Sequence, residues 1–220
     1  MNNAVLIIGE SGTGKSTSIR NLPSAETFVI NVLDKPLPFR GAKKKYIRAT
    51  KEASGNYFAG DNTIDILKVI KYVDKKMPHI KYLVIDDFGY TISNSFMKKS
   101  MIKGYDKYNE IGKDCYDVLE AVNQARDDLF IFVMIHTETD QKGLAKPKTV
   151  GKMIDQYICI EGKFTYVLHA VVHESEHYFI TNNDGSHMAK TPMGLFNEMA
   201  VENDLMMVAN EITKYINEEA

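Results

Sequence analysis

Gly9-Glu10-Ser11-Gly12-Thr13-Gly14-Lys15-Ser16-Thr17 is the stretch on which the reading of this chain turns. It fits the pattern G-x-x-x-x-G-K-[ST], follows an apolar run at residues 4–8 that reads as a buried strand, and precedes a helical stretch at 16–22 ended by Pro23. Glycines let such a loop curl until its N–H groups point inward, and the following helix adds the positive end of its dipole. That nest suits phosphate oxygens, so Gly9, Glu10, Ser11, Gly12, Thr13, Gly14, Lys15, Ser16 and Thr17 are expected to bind ATP. Within it, Lys15 is expected to reach the β and γ phosphates, Ser16 to offer its hydroxyl to Mg²⁺, and Thr17 to lie near the α phosphate. The alternative is a glycine-rich turn that holds no ligand, which the flanking strand and helix disfavour.

A second segment complements the loop. Lys81-Tyr82-Leu83-Val84-Ile85-Asp86-Asp87 is an apolar strand that ends abruptly in two acids and resembles a Walker B segment. Asp86, at the carboxyl end of the strand, is expected to serve Mg²⁺, because phosphate ligands of open α/β sheets gather at that edge. Asp87 is expected to orient the attacking water or act as general base, with Asp34 at the end of the second strand as its rival. Either acid of the pair has a plainer alternative as the cap of the next helix. His136 follows the strand at 129–135 and is a candidate sensor of the γ phosphate, against a histidine that merely caps the strand.

Strand-like runs at 4–8, 27–33, 82–85 and 129–135 alternate with helical stripes: Ile64, Leu67, Ile70 and Val73, then Tyr108, Ile111, Cys115, Val118, Leu119 and Val122. This alternation predicts an α/β fold with a mainly parallel sheet flanked by helices. After Gly151 the texture changes to strand-like runs at 157–160, 164–172 and 177–181, joined by Glu161-Gly162 and Glu174-Ser175, and reads as hairpins. Asn182-Asn183-Asp184-Gly185 signals a turn, and Leu205, Val208, Ile212 and Tyr215 mark a terminal helix. Its 220 residues suit a single domain, 1–220, with a nucleotide-binding core at 1–150 and an extension of the same domain at 151–220.

Charge and composition narrow the classes. With 27 Lys plus Arg against 29 Asp plus Glu, the net charge of -2 excludes a uniformly basic nucleic-acid binder but allows local patches. Cys115 and Cys159 lie far apart without metal-ligand spacing, and both read as buried thiols suited to a reducing compartment. No run approaches the roughly 20 apolar residues of a membrane span, so a cytoplasmic protein without membrane partners is expected. No Asn/Thr-Lys-x-Asp or Leu-Ser-Gly-Gly-Gln segment occurs, and the four arginines, Arg20, Arg40, Arg48 and Arg126, form no lid. These gaps count against a GTPase, an ABC transporter and a nucleotide kinase in turn.

The loop, Asn31-Val32-Leu33-Asp34-Lys35-Pro36-Leu37-Pro38-Phe39, Ile85-Asp86-Asp87-Phe88, Gly104-Tyr105-Asp106-Lys107-Tyr108, Phe164-Thr165-Tyr166-Val167-Leu168 and Ala189-Lys190-Thr191-Pro192-Met193-Gly194 follow one another in this order. In that order the chain resembles the bacteriophage AAA-type ATP-binding proteins of the RecA-like single-strand-annealing group, over nearly its whole length. The resemblance implies a P-loop NTPase of RecA-like fold that hydrolyses ATP while annealing or exchanging single-stranded DNA. It also implies a homo-oligomer, phage or host replication and recombination proteins as partners, and the cytoplasm of an infected or lysogenic host. RecA-like ATPases carry a catalytic acid near the position of Asp34, so the choice between Asp34 and Asp87 stays open.

Cations and planar side chains on loops are what single-stranded DNA requires. The segment 98–108 interleaves Lys98, Lys99, Lys103 and Lys107 with Tyr105 and Tyr108; 141–148 carries Lys142, Lys146 and Lys148; Arg40, Lys43, Lys44 and Lys45 cluster earlier. The plainer alternatives are a solvated helix face for 98–108, a disordered surface linker for 141–148 and solvated surface for the earlier cluster. Lys152, Lys163 and Lys190 are candidates to complete a neighbour's ATP site, against ordinary surface charges. A nucleotide-switched protein that binds a partner, such as a helicase loader, is the competing reading, and a small-molecule kinase a more distant third.

Overall fold

The computed structural model of the chain describes residues 3–50, 53–139, 143–149 and 158–219. Among them a mixed, mostly parallel sheet carries the fold. Its strands are β1 (Ala4–Gly9), β2 (Thr27–Asn31), β3 (Tyr57–Ala59), β4 (Tyr82–Asp86), β5 (Phe130–Thr139), β6 (Ala145–Pro147), β7 (Tyr166–His173), β8 (Glu176–Ile180) and β9 (Ala200–Glu202). They run in the order β3-β2-β4-β5-β1-β7-β8-β9, with β6 paired to β5. The contacts from β3 through β7 are parallel, while β8, β9 and β6 join antiparallel.

The helices are α1 (Ala42–Lys45), α2 (Thr63–Lys76), α3 (Gly89–Lys98), α4 (Asp106–Asn123) and α5 (Leu205–Glu219), with a tighter 3-10 helix at Ser16–Asn21 directly after the glycine-rich loop. Both faces of the sheet are covered, which is why β1 is apolar at every position from Ala4 to Ile8 rather than alternating. Ala4, Leu6 and Ile8 pack with Ile66, Ile70 and Val73 of α2 and Ile111, Cys115, Val118 and Leu119 of α4. Val5 and Ile7 face the other way, onto Ile19 of the 3-10 helix, Leu22 just after it, and Leu205, Val208 and Ile212 of α5.

Several sequence-based expectations change. The second strand stops at Asn31 rather than Leu33, because Asp34 turns into the left-handed region at φ 56°. β5 runs four residues past Ile135, so His136 lies within the strand instead of capping it; pairing of Thr137–Thr139 with β6 extends it. In α2, Ile70 and Val73 are buried and Leu67 packs against the core as expected, but Ile64 is exposed and Ile66 is buried in its place. Ile158–Ile160 form no strand; Ile158 and Ile160 are buried apolar anchors leading into a 3-10 turn at Glu161–Lys163. Tyr157 falls outside the described residues. The hairpin at Glu174-Ser175 does form, with both residues at positive φ (48° and 68°), as tight two-residue turns require. Its first strand is no appendage: β7 lies parallel to β1 in the middle of the sheet. Cys115 is buried as expected, whereas Cys159 is exposed and donates to Glu161 Oε1 at 3.1 Å. Among the described residues no helix is long and apolar enough to cross a membrane.

Candidate functional site

Parallel pairing fixes where the site lies. The register sets Gly9 beside His136 and Asn31 beside Asp86, so the carboxyl ends of β1, β2, β4 and β5 come level at one edge of the sheet. The glycine-rich loop leaves β1 at that edge. A Cβ on Gly9 would stand 2.7 Å from the carbonyl oxygen of Ala170 and 2.7 Å from Thr13 Oγ1, and Gly12 and Gly14 take φ of 82° and 90°, so the loop's path depends on glycine.

Lys15 folds back under this loop. Its ammonium donates to the carbonyl oxygens of Gly9 (2.8 Å) and Glu10 (2.6 Å). Burial lowers its pKa to about 8, against the opposing pull of Asp86, Asp87 and Glu10. Ser16 Oγ donates to Asp86 Oδ1 at 2.9 Å, joining the loop to the end of β4. Asp86 is only 3% exposed, and burial followed by the charge of Asp87 raises its carboxyl to about 6.

Asp87 sits one residue beyond the strand in the left-handed conformation, φ 63°, which turns its side chain into the same space. His136 Nε2 lies 3.1 Å from Asp87 Oδ1, and Lys35 Nζ lies 3.5 Å from Oδ2. Burial works to raise the Asp87 pKa, but the His136 hydrogen bond and the charges of Lys35, His136 and Lys15 hold it below the ordinary carboxylate range. The His136 ring meets Tyr90 edge-on at 5.8 Å.

Ser11, Lys15, Ser16, Thr17, Lys35, Asp86, Asp87, His136 and His177 together line a cavity of about 290 Å³. A larger cavity, about 480 Å³, opens beyond Ser11, Lys35 and His136 and adds Tyr90, Ser93 and Lys148 to its walls. Among the described residues, no group of three or more His, Cys, Asp or Glu side chains is placed to hold a metal ion.

Asp34, the rival acid, turns elsewhere. Arg48 grips both of its oxygens at 2.5 Å, Tyr57 donates from 3.2 Å, and it lines a separate hollow with Arg48 and Tyr57. No protein-family model matches this chain, and no curated protein matches it.

Three side chains of the site have no role in the sequence reading. Lys35 follows Asp34 in the turn after β2; the Asp-Lys-Pro succession marks the turn but not its direction. His177 on β8 and Asn203 beside α5 both press on Gly14, where an added Cβ would meet His177 Nδ1 at 3.0 Å and Asn203 Oδ1 at 3.1 Å. Nothing local in the sequence points to that contact, which exists because β8 and β9 extend the sheet past β7.

The cationic segments are less free than their sequences suggest. Lys98 pairs with Asp61 (2.7 Å), Lys99 with Glu110 (2.9 Å), and Lys107 lies 5.3 Å from the centre of the Tyr108 ring. Ala145–Pro147 is strand β6, with Lys146 paired to Glu138 at 3.1 Å; residues 141 and 142 are outside the described residues. Arg40, Lys43, Lys44 and Lys45 are exposed. Lys163 binds Glu120 at 2.8 Å and stands 4.3 Å from the Tyr116 ring centre; Lys190 is exposed, its backbone bridged to Val167; Lys152 is outside the described residues.

Proposed function

We propose that the chain is a P-loop ATPase of RecA-like type that requires magnesium and couples its nucleotide state to single-stranded DNA. One observation carries the nucleotide part: Lys15 and Ser16 of a glycine-dependent loop and Asp86 and Asp87 of a separate strand converge on one cavity at the carboxyl edge of a parallel sheet. The hydroxyl of Ser16 and the carboxylate of Asp86 would hold Mg²⁺, an ion that keeps several waters and needs few protein ligands. When bound, it supplies neutralisation of phosphate charge.

The chain's own residues do the rest. Loop amides bind phosphate oxygens, and Lys15, released from the Gly9 and Glu10 carbonyls, offers its ammonium to the β and γ phosphates. Asp87 orients water in line with the γ phosphorus, held by His136 in the sensor position. The water oxygen bonds to phosphorus and the bond to the β–γ bridging oxygen breaks. ADP leaves with that electron pair, and the proton is shared between phosphate product and solvent. Asp34, tied to Arg48, is the weaker candidate for this role.

Isothermal calorimetry and phosphate release test the proposal. Lys15→Ala is expected to abolish tight Mg-ATP binding. Asp87→Asn is expected to keep binding within about threefold and to lose turnover by about 100-fold or more. Wild-type protein without affinity for Mg-ATP at millimolar concentration would sink the reading.

Single-stranded DNA as partner rests on the family resemblance and on the exposed cations Lys103, Arg40, Lys43, Lys44 and Lys45 and the exposed ring of Tyr105. A homo-oligomer on DNA follows from the same resemblance. One observation favours the second reading, a nucleotide-switched partner-binding protein: Met97 at the end of α3 and Met101, Ile102 and Tyr105 between α3 and α4 are exposed, Met101 by 91%. Hydrolysis with and without oligonucleotide at two salt concentrations separates them. Stimulation that weakens steeply with salt supports DNA, and no stimulation supports the protein partner.

A further inference from the structure

Lys35 stands in the turn after β2. Its backbone is pinned, because Asn31 Nδ2 donates to the Lys35 carbonyl oxygen at 2.8 Å, Asp34 is left-handed and Pro36 follows. Its side chain is free to swing, being 61% exposed. The ammonium lies 3.5 Å from Asp87 Oδ2 and 5.4 Å from the centre of the Tyr90 ring. A charge-assisted hydrogen bond to a carboxylate is ordinarily about 2.7–2.9 Å, so this pair is loose and readily exchanged.

Among the described residues, Lys35 and Lys15 are the two lysines that line the loop cavity. Lys15 comes from beneath the loop, bound to two carbonyls. Lys35 comes from the rim where the larger cavity opens, beside Ser11 and His136. A triphosphate in the loop would present its terminal phosphate to the side that holds Asp87, His136 and Lys35.

We infer that Lys35 is a catalytic residue acting in cis, exchanging Asp87 for an oxygen of the γ phosphate when the triphosphate enters. The inference rests on the nucleotide-hydrolysing reading above. The exchange does two things at once. It brings a second ammonium to the oxygens on which charge develops as the bond to ADP breaks. It also frees Asp87 Oδ2 to accept from the attacking water, while His136 retains Oδ1. Lys35 donates hydrogen bonds and no proton is transferred from it, so the hydrolysis balances as written above. A cation supplied by the same chain makes a neighbour's lysine unnecessary for the chemical step.

The test compares the full-length wild type, Lys35→Met and Lys35→Arg, each checked for folding by circular dichroism. Affinities for Mg-ADP and Mg-ATP and single-turnover hydrolysis are measured. Lys35→Met is expected to bind Mg-ADP within about threefold of wild type and Mg-ATP about tenfold more weakly, and to hydrolyse about 100- to 1,000-fold more slowly. Lys35→Arg is expected to recover part of the rate. Mixing Lys35→Met with Lys15→Ala is expected to restore nothing.

An unchanged ratio of ATP to ADP affinity in Lys35→Met overturns the assignment, even in protein that binds nucleotide without turning it over. So does a rate within threefold of wild type, and restoration on mixing overturns action in cis. Failure of the wild type itself to bind either nucleotide is a different result, and removes the functional reading on which the inference stands.

Discussion

His169 shows how a single buried side chain ties this site to stability. It lies on β7 opposite Ile8, only 6% exposed, with Nδ1 buried and without a hydrogen-bond partner and its ring 5.2 Å from that of His187. Burial, then the charges of His187 and Lys15, push its pKa down to about 4. The unfolded chain protonates this imidazole near pH 6.5 and the folded protein only near 4, so stability falls as pH drops through that window, by about 3 kcal/mol. Denaturant midpoints between pH 7 and pH 4 check this; acidic side chains contribute to the same loss, so a flatter profile in His169→Leu is the expected difference. Gly14 is the complementary case. Its φ of 90° disfavours any side chain, and a Cβ would crowd His177 at 3.0 Å and Asn203 at 3.1 Å, so Gly14→Ala is expected to cost roughly 1–3 kcal/mol and to impair Mg-ATP binding, read by thermal unfolding and calorimetry. Gly14, Lys15 and Ser16 were legible in the sequence because their spacing along a few residues fixes their relation. Lys35, His177 and Asn203 were not, since their neighbours come from distant strands.

At the level of elements, helix ends are where long-range side chains do most. Asn62 caps α2 by accepting from the backbone of Ile64 (3.0 Å) and Asp65 (3.2 Å). At its other end the Arg126 guanidinium donates to the carbonyl oxygens of Val73 and Asp74 in the last turn of α2 and of Met77 and Ile80 beyond it, tying the helix end to the segment that leads into β4. Arg126→Ala is therefore expected to destabilise the protein by about 2–3 kcal/mol without altering nucleotide affinity, as urea titration and calorimetry together would reveal. Asp204 caps α5 through the Met206 and Met207 amides and accepts from Asn21, while Arg20 donates to the Asn203 carbonyl oxygen at 2.5 Å, so α5 and the helix after the loop are fastened together. The longer apolar runs disclosed β1, β2, β4 and β5. The three-residue strands β3, β6 and β9 gave no periodic signal, being shorter than any pattern can register. Ile158–Ile160 gave a false one, because buried apolar residues pack without joining the sheet.

The whole molecule is one sheet whose centre is assembled from both ends of the chain. β1 lies between β5 and β7, and α5 covers the same face as the helix after the loop. A chain ending at residue 150 would leave β1 as an edge and uncover Val5, Ile7, Ile19 and Leu22, forgoing the burial of Leu205, Val208 and Ile212 at roughly 1.5–3 kcal/mol each. Such a truncation is expected to lose the cooperative thermal transition of the full chain, measured by calorimetric scanning. By itself the sequence determined the loop, the acid pair and the alternation of strand with helix, because spacing over a few residues follows from covalent geometry and turn chemistry. Only the tertiary structure decided that β7 stands beside β1, that Asp34 turns to Arg48, and that Lys35 and His136 hold Asp87. Those relations depend on which strands pair and which faces bury across the whole chain, and no local pattern of residues encodes them.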